Sequence, residues 1–302
     1  MTHEKHRKTP KPKPASTVIL TRTKRSSLQV YLLRRSAKSR FFPGNYVFPG
    51  GAIDSKDRCP DMWKGHLDLD EEKINLRLGG NNLGLIESIA HAVSGIRETF
   101  EEAGVLLASG LEDGDARLAM LRKERNACSL SKGWLWKAVL STGWRLSLSL
   151  LSRWAHWITP EAMPRRFDTR FFVGFMPQGE ECTPDARETT LGIWVSPEKG
   201  LSANLKGEIP LSPPTLITLH ELQSYSSFDE LQKALETRQW GQARLPRMVL
   251  AGRDPVILQP WDPMINEKIE IDPSVLANSV VGVGEPFSRL WYHGGIWRPV
   301  RA

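Results

Sequence analysis

Glu98, Glu101 and Glu102 crowd three carboxylates into one stretch of five residues, directly after Arg97. On a helix, residues three and four apart are neighbours, so the three glutamates share one face. Like charges that close repel, and they destabilise the helix unless something positive intervenes. Arg97, four residues before Glu101, neutralises part of that charge. A hard divalent cation would neutralise the rest, because oxygen donors on a rigid element suit Mg²⁺ or Mn²⁺. The same spacing also describes an ordinary solvated acidic face. Helix pattern alone does not separate the two.

The elements around the cluster read as follows. Ile89, Val93, Ile96 and Phe100 recur at helical spacing and form an apolar stripe away from the glutamates, and Gly104 is placed to end that helix. Residues 17–20 and 28–33 are apolar, strand-like runs joined by a predicted hairpin turn at 24–27. The run from Phe41 to Gly51 reads as a strand entering a tight glycine turn. Residues 54–82 read as a polar, loop-like insert with room for a short helix. Residues 112–157 read as a helical insert carrying Trp134, Trp136, Trp144, Trp154 and Trp157. Strands are predicted at 171–176 and 193–195, an amphipathic helix at 228–238, and short strands with turns from Pro255 onward. The mixture predicts an α/β or α+β class.

The order of residue types adds more. Arg97-Glu98-Thr99-Phe100-Glu101-Glu102-Ala103-Gly104-Val105 resembles the second half of the Nudix box, R-E-U-x-E-E-x-G-U, with Thr99 at the usually aliphatic position. Phe48-Pro49-Gly50-Gly51 is similar to its start. Arg97 lies 46 residues after Gly51, against 14 in an ordinary box, an excess of 32. A box split this way resembles the coenzyme A diphosphatase-like, peroxisomal-type subgroup. So do Val30-Tyr31-Leu32-Leu33-Arg34-Arg35, Trp157-Ile158-Thr159-Pro160, Glu188 with Trp194-Val195-Ser196-Pro197, and Pro213-Pro214-Thr215. The mid-box carboxylate is displaced by the insert. Glu87, ten residues before Arg97, is a poor substitute for it, and Asp54 covers part of the role.

The resemblance implies an α/β/α sandwich built on a mixed sheet, and a metal-dependent hydrolase of nucleoside diphosphate derivatives. It implies Mg²⁺ or Mn²⁺ held by Glu98, Glu101 and Glu102 with a backbone carbonyl of Gly50 or Gly51, and Arg97 orienting the glutamates. The general base is either a box glutamate, Glu98 or Glu101, or a glutamate from a distant loop, for which Glu188 is the candidate. Arg34 and Arg35, after a strand, are candidates to meet substrate phosphates, beside Gly50. Coenzyme A or an acyl derivative is the expected substrate. NADH, ADP-ribose and capped RNA stay open, as does a non-catalytic nucleotide-binding regulator. A binding module has no need for three mutually repelling carboxylates.

The chain has 302 residues and a formal net charge of +7, which read naively points to nucleic acid. Residues 1–16 hold Lys5, Arg7, Lys8, Lys11 and Lys13 against Glu4, and so supply four of the seven charges. That proline-rich tail is predicted to be disordered, followed by one domain over 17–302. A small-molecule partner is therefore expected rather than nucleic acid or a membrane. Cys59, Cys128 and Cys182 are few, odd in number and widely spaced, which predicts a reducing, cytoplasmic setting.

Overall fold

The computed structural model describes residues 9–39, 42–80, 83–111 and 114–302. Strands β1 (Lys13–Lys24) and β2 (Ser27–Arg35) form the expected hairpin. Arg25 and Ser26 turn it with φ of 51° and 63°, the left-handed pair that matches strand twist in a tight hairpin. After β3 (Tyr46–Val47) and β4 (Gly50–Ala52) come helices α1 (Pro60–Trp63), α2 (Glu71–Leu78) and α3 (Leu85–Ala103). A second helical stretch runs from β5 (Ala108–Ser109) through α4 (Ala116–Asn126) and α5 (Trp134–Thr142) to β6 (Arg145–Leu146). Strands β7 (Leu151–Ile158), β8 (Phe167–Phe175) and β9 (Thr189–Val195) lead to α6 (Pro197–Leu205), α7 (Pro213–Leu222) and α8 (Phe228–Thr237). The chain continues with β10 (Arg247–Ala251), β11 (Asp254–Leu258), α9 (Pro273–Asn278), β12 (Arg289–His293) and β13 (Ile296–Val300).

The main sheet runs β3-β2-β1-β8-β7, with β4 also pairing β1 and β9 pairing β2. It is mixed: β1 runs parallel to β8, and the other pairs are antiparallel. Successive side chains of a strand face opposite sides of the sheet. Val18 and Leu20 accordingly join Ile89, Val93, Ile96 and Phe100 of α3 in one core. Ile19, Val30 and Leu32 join Leu201, Leu216, Leu219 and Leu231 of α6, α7 and α8 in the other. Both faces are covered by helices, which is the sandwich the resemblance implied. β10 to β13 form a smaller antiparallel sheet with its own core around Val256, Leu258, Trp291 and Val300.

Three expectations change. The first strand starts at Lys13, not at residue 17, so the tail called disordered over 1–16 is partly ordered. Lys13 and Pro14 pair with Phe167 and Asp168, and Arg166 reaches the carbonyl of Pro10. Backbone hydrogen bonds from Lys13 to Arg166 and from Ile53 to Pro14 hold this segment although it has no large aliphatic side chain. Residues 1–8 lie outside the described residues. The insert at 54–82, read as loop-like with a short helix, carries two helices, α1 and α2, whose Trp63, Ile74 and Leu78 are buried. The helical reading of 112–157 holds for α4 and α5, but 151–158 is strand β7, paired along β8. Its side chains are buried on both faces, which erases the alternation that would have marked a strand. Among the described residues, no helix is long and apolar enough to cross a membrane.

Candidate active site

The second half of α3 carries Arg97, Glu98, Glu101 and Glu102, and its end is fixed from three sides. Gly104 closes it with φ of 76°, its N–H donating to the carbonyl of Phe100. A Cβ there would lie 2.7 Å from Thr183 Oγ1, so glycine is required twice over. Arg125 of α4, 3% exposed, donates to the carbonyls of Glu101 and Glu102 at 2.9 Å each and to that of Thr183. A buried cation at a helix C-terminus satisfies orphan carbonyls and complements the dipole.

Arg97 is 7% exposed and joins three carboxylates. It donates to Asp57 Oδ2 at 2.8 Å, to Glu98 Oε1 at 2.7 Å and to Glu101 Oε2 at 3.3 Å. It also reaches the carbonyl of Ala52, next to the glycine pair, at 2.9 Å. The carboxylate that Arg97 meets near the glycine pair is thus Asp57, at the start of the 54–82 insert, rather than Glu87 or Asp54. Glu87 instead pairs with Arg58 on the surface. Asp57 lies six residues after Gly51, in the turn that follows β4, and that proximity was the available signal.

Gly50 and Gly51 lie against α3. The Gly50 N–H donates to Glu102 Oε2 at 2.9 Å. A Cβ on Gly51 would fall 2.5 Å from the Glu98 carboxylate, so only glycine leaves that space open. Glu101 is held differently: its Oε1 accepts from the indole N–H of Trp134 at 2.6 Å. Trp134, the first residue of α5, is buried and rests on Phe100 with ring centroids 4.7 Å apart. Sequence reasoning missed this partner, because it arrives from 33 residues away.

Burial dominates the electrostatics. It pushes Glu98 up to about 7, helped by the charges of Glu101 and Asp57 and opposed by Arg97. It pushes Glu102 well above the usual carboxylate range, helped by Glu98 and opposed by the Gly50 N–H. These are carboxylates short of positive charge. Among the described residues, no three His, Cys, Asp or Glu side chains already converge on one point, since Glu101 is drawn toward Trp134 and Arg97. The donor set nonetheless fits a hard divalent cation: two buried, undercompensated carboxylates beside a cradle kept open by Gly51.

Linkage turns this into a measurable expectation. A carboxyl whose folded pKa is raised costs stability as pH climbs from its unfolded value, 4.5, up to the raised one. Buried His91, pushed down to about 3 by desolvation, works in the opposite sense up to its ordinary 6.5. Above pH 6.5 the remaining loss from Glu98 and Glu102 is no longer offset by His91. The metal-free protein should melt at lower temperature at pH 8 than at pH 6.5, and Mg²⁺ or Mn²⁺ should reverse the loss. A melting profile that stays level over this range would show that the glutamates are compensated without a cation.

Trp134→Phe keeps the packing on Phe100 and removes the donor to Glu101. Loss of a group that orients a metal ligand typically costs about 10- to 100-fold. We expect turnover to fall toward the lower end of that range with the melting temperature nearly unchanged. Equal turnover in parent and variant would show that Glu101 needs no such tether.

A cavity of about 490 Å³ opens from these groups. Gly50, Gly51, Glu98, Glu101, Glu102, Arg35 and Glu188 line one part of it, and Phe48, Trp157, Met163 and Phe171 another. Glu188 is exposed and immediately precedes β9, and the Asp185 carboxylate, accepting from the backbone N–H groups of Arg187, Glu188 and Thr189, sets its turn. The structure therefore brings Glu188 and Arg35 to the glutamates. Arg34 is exposed and lines no part of this cavity, because neighbouring strand residues face opposite ways. A second cavity, of about 270 Å³, meets the first at Glu98, Glu101, Glu102 and Glu188 and is walled by α5 and the chain before it.

Comparison with known proteins agrees with this geometry. The description of the NUDT19 Nudix domain matches residues 7–222, more than half of the chain. The chain belongs to the NUDT19 Nudix family. It is 28% identical over 245 residues to the acyl-coenzyme A diphosphatase NUDT19 of Xenopus laevis, covering 70% of this chain and 64% of the frog protein's length. To the human acyl-coenzyme A diphosphatase NUDT19 it is 27% identical, covering 88% of this chain and 81% of the relative. Among solved structures, a Nudix hydrolase from Alicyclobacillus acidocaldarius superposes with a TM-score of 0.55 at 25% identity, covering 77% of this chain and 99% of that one. The Nudix segment thus spans the main sheet, α3 and the glutamates, and ends at the last residue of α7.

Proposed function

We propose that this Nudix protein is a divalent-metal-dependent diphosphatase that cleaves coenzyme A or an acyl-coenzyme A at its diphosphate bridge. The observation that carries the reading is the meeting of Glu98, Glu101, Glu102, the Gly50–Gly51 pair and Glu188 in one cavity wall beside an apolar hollow. A diphosphate fits the polar part and a pantetheine or acyl chain the apolar part. The names of the frog and human relatives support the same substrate class. The unpaired thiols Cys59, Cys128 and Cys182 support a reducing, cytoplasm-like setting.

In this reading Glu98, Glu101 and Glu102 hold Mg²⁺ or Mn²⁺, with the carbonyl of Gly51 beside them. The cation supplies charge neutralisation of the diphosphate and acidification of the attacking water. Arg97 keeps Glu98 and Glu101 in register, and Arg35 faces the substrate phosphates. Glu188 takes the proton of the attacking water, or a box glutamate does so. Water oxygen bonds to one phosphorus, the bridging P–O bond breaks, and two phosphomonoesters leave. The test is a metal-supplemented panel of coenzyme A, acyl-coenzyme A, NADH, ADP-ribose and capped RNA. Fastest turnover of the coenzyme A compounds is expected; faster turnover of another member, or of none, would overturn the assignment.

A further inference from the structure

The two cavities that meet at the glutamates differ in chemistry. The larger has an apolar stretch of Phe48, Trp157, Met163 and Phe171, whereas the smaller is lined by Lys56, Lys132 and Arg187. Its other cations are committed: Arg97 to three carboxylates and Arg125 to backbone carbonyls. Among the described residues, Lys56, Lys132 and Arg187 make no ion pair. Of the acids on the same wall outside the box, Asp57 is bonded to Arg97 and Asp185 accepts from the backbone of its own turn, while Asp54 and Glu188 form no ion pair with the three cations.

Lys56 is packed into place. A Cβ on Gly133 would lie 2.6 Å from its Nζ, and Gly133 adopts φ of 70°. Gly133 leaves that space open at a left-handed φ, and the ammonium lies against the start of α5, where Lys132 and the helix dipole add more positive potential. Cations that no carboxylate has bonded keep their donors available to an incoming anion. Lys56 from the 54–82 insert, Lys132 from the 112–157 insert and Arg187 from the loop before β9 thus bring three unpaired cations to a chamber that shares the catalytic glutamates.

Building on the diphosphatase reading, we propose that this chamber is the subsite for an additional phosphate monoester on the nucleotide half of the substrate. In coenzyme A that group is the ribose 3′-phosphate, while the pantetheine arm takes the larger, apolar cavity. Lysine and arginine suit a dianionic phosphate through charge-assisted hydrogen bonds.

The test compares coenzyme A with dephospho-coenzyme A, which differ only in that phosphate. The parent should prefer coenzyme A by about tenfold or more in kcat/KM, the scale of one or two charge-assisted hydrogen bonds. In Lys56→Met/Lys132→Gln/Arg187→Gln that ratio should fall toward one, with the single variant Arg187→Gln intermediate. Calorimetric binding of adenosine 3′,5′-bisphosphate against AMP gives the same comparison without turnover. A parent ratio of one, or a ratio the substitutions leave intact, overturns the subsite. Tighter binding of the bisphosphate with no hydrolysis of either coenzyme overturns the substrate reading while the subsite stands.

Discussion

Glu102→Gln should lower turnover by at least about 100-fold, the scale on which removal of one preorganised charge-stabilising group acts. The fold should survive, because the amide oxygen still accepts from the Gly50 N–H at the 2.9 Å position. The variant carries a second signature. Removing a buried carboxylate that is held well above its usual range abolishes its share of the alkaline destabilisation. The metal-free variant should therefore melt at higher temperature than the metal-free parent at pH 8, and gain less from added cation. Inactivity combined with a raised melting temperature marks a group retained for chemistry at a cost in stability. Turnover equal to the parent's under Mg²⁺ or Mn²⁺ would remove Glu102 from the metal site. Glu101→Gln should lower turnover on the same scale without the stability gain, since Glu101 is half-exposed and already paired with Trp134 and Arg97.

Arg97→Leu should be the most destabilising single change at the site. It strands Asp57, Glu98 and Glu101 around an apolar side chain, and breaking a buried ion pair from one side costs about 3–5 kcal/mol. Urea unfolding should move its midpoint down accordingly, and turnover should be lost with it. Asp57→Asn added to Arg97→Leu should restore part of the stability and none of the activity, because only the structural charge is compensated. Arg97→Lys should fall between, since one ammonium cannot span the carbonyl of Ala52 and three carboxylates as a planar fork does. If Arg97→Leu unfolds at the parent's urea concentration, the network is not what holds the glycine turn to α3.

Much of the site was legible because its signal is local. Glu98, Glu101 and Glu102 declare their shared face by spacing, Ile89, Val93, Ile96 and Phe100 declare the opposite one, and Gly104 declares the end. The split box pointed to Gly50 and Gly51, and the structure brings them to the glutamates. What escaped was non-local. Asp57 escaped because Asp54 and Asp57 both follow the glycine pair closely, and only the path of the turn between them decides which one faces Arg97. Trp134 and Arg125 belong to helices whose docking no spacing rule predicts. Strand β7 was read as helix because a strand buried on both faces shows no alternation. Helices α6 and α7 were signalled by Ser196-Pro197 and Ser212-Pro213, serine caps with proline at the first helical position, a pattern left unread.

By itself, then, the sequence determined the acidic helix face, the glycine pair, the mixed α/β class and the concentration of basic charge near residue 1. Each depends on residues within a few positions of one another, where backbone geometry sets the neighbours. Only the tertiary structure decided which partner each glutamate takes: Arg97 for Glu98, Trp134 for Glu101, the Gly50 N–H for Glu102. It also decided how far each is buried, and hence which carboxylates are driven up and left in need of a cation. Desolvation is the work of every atom packed around a group, and those atoms come from segments that folding alone brings together.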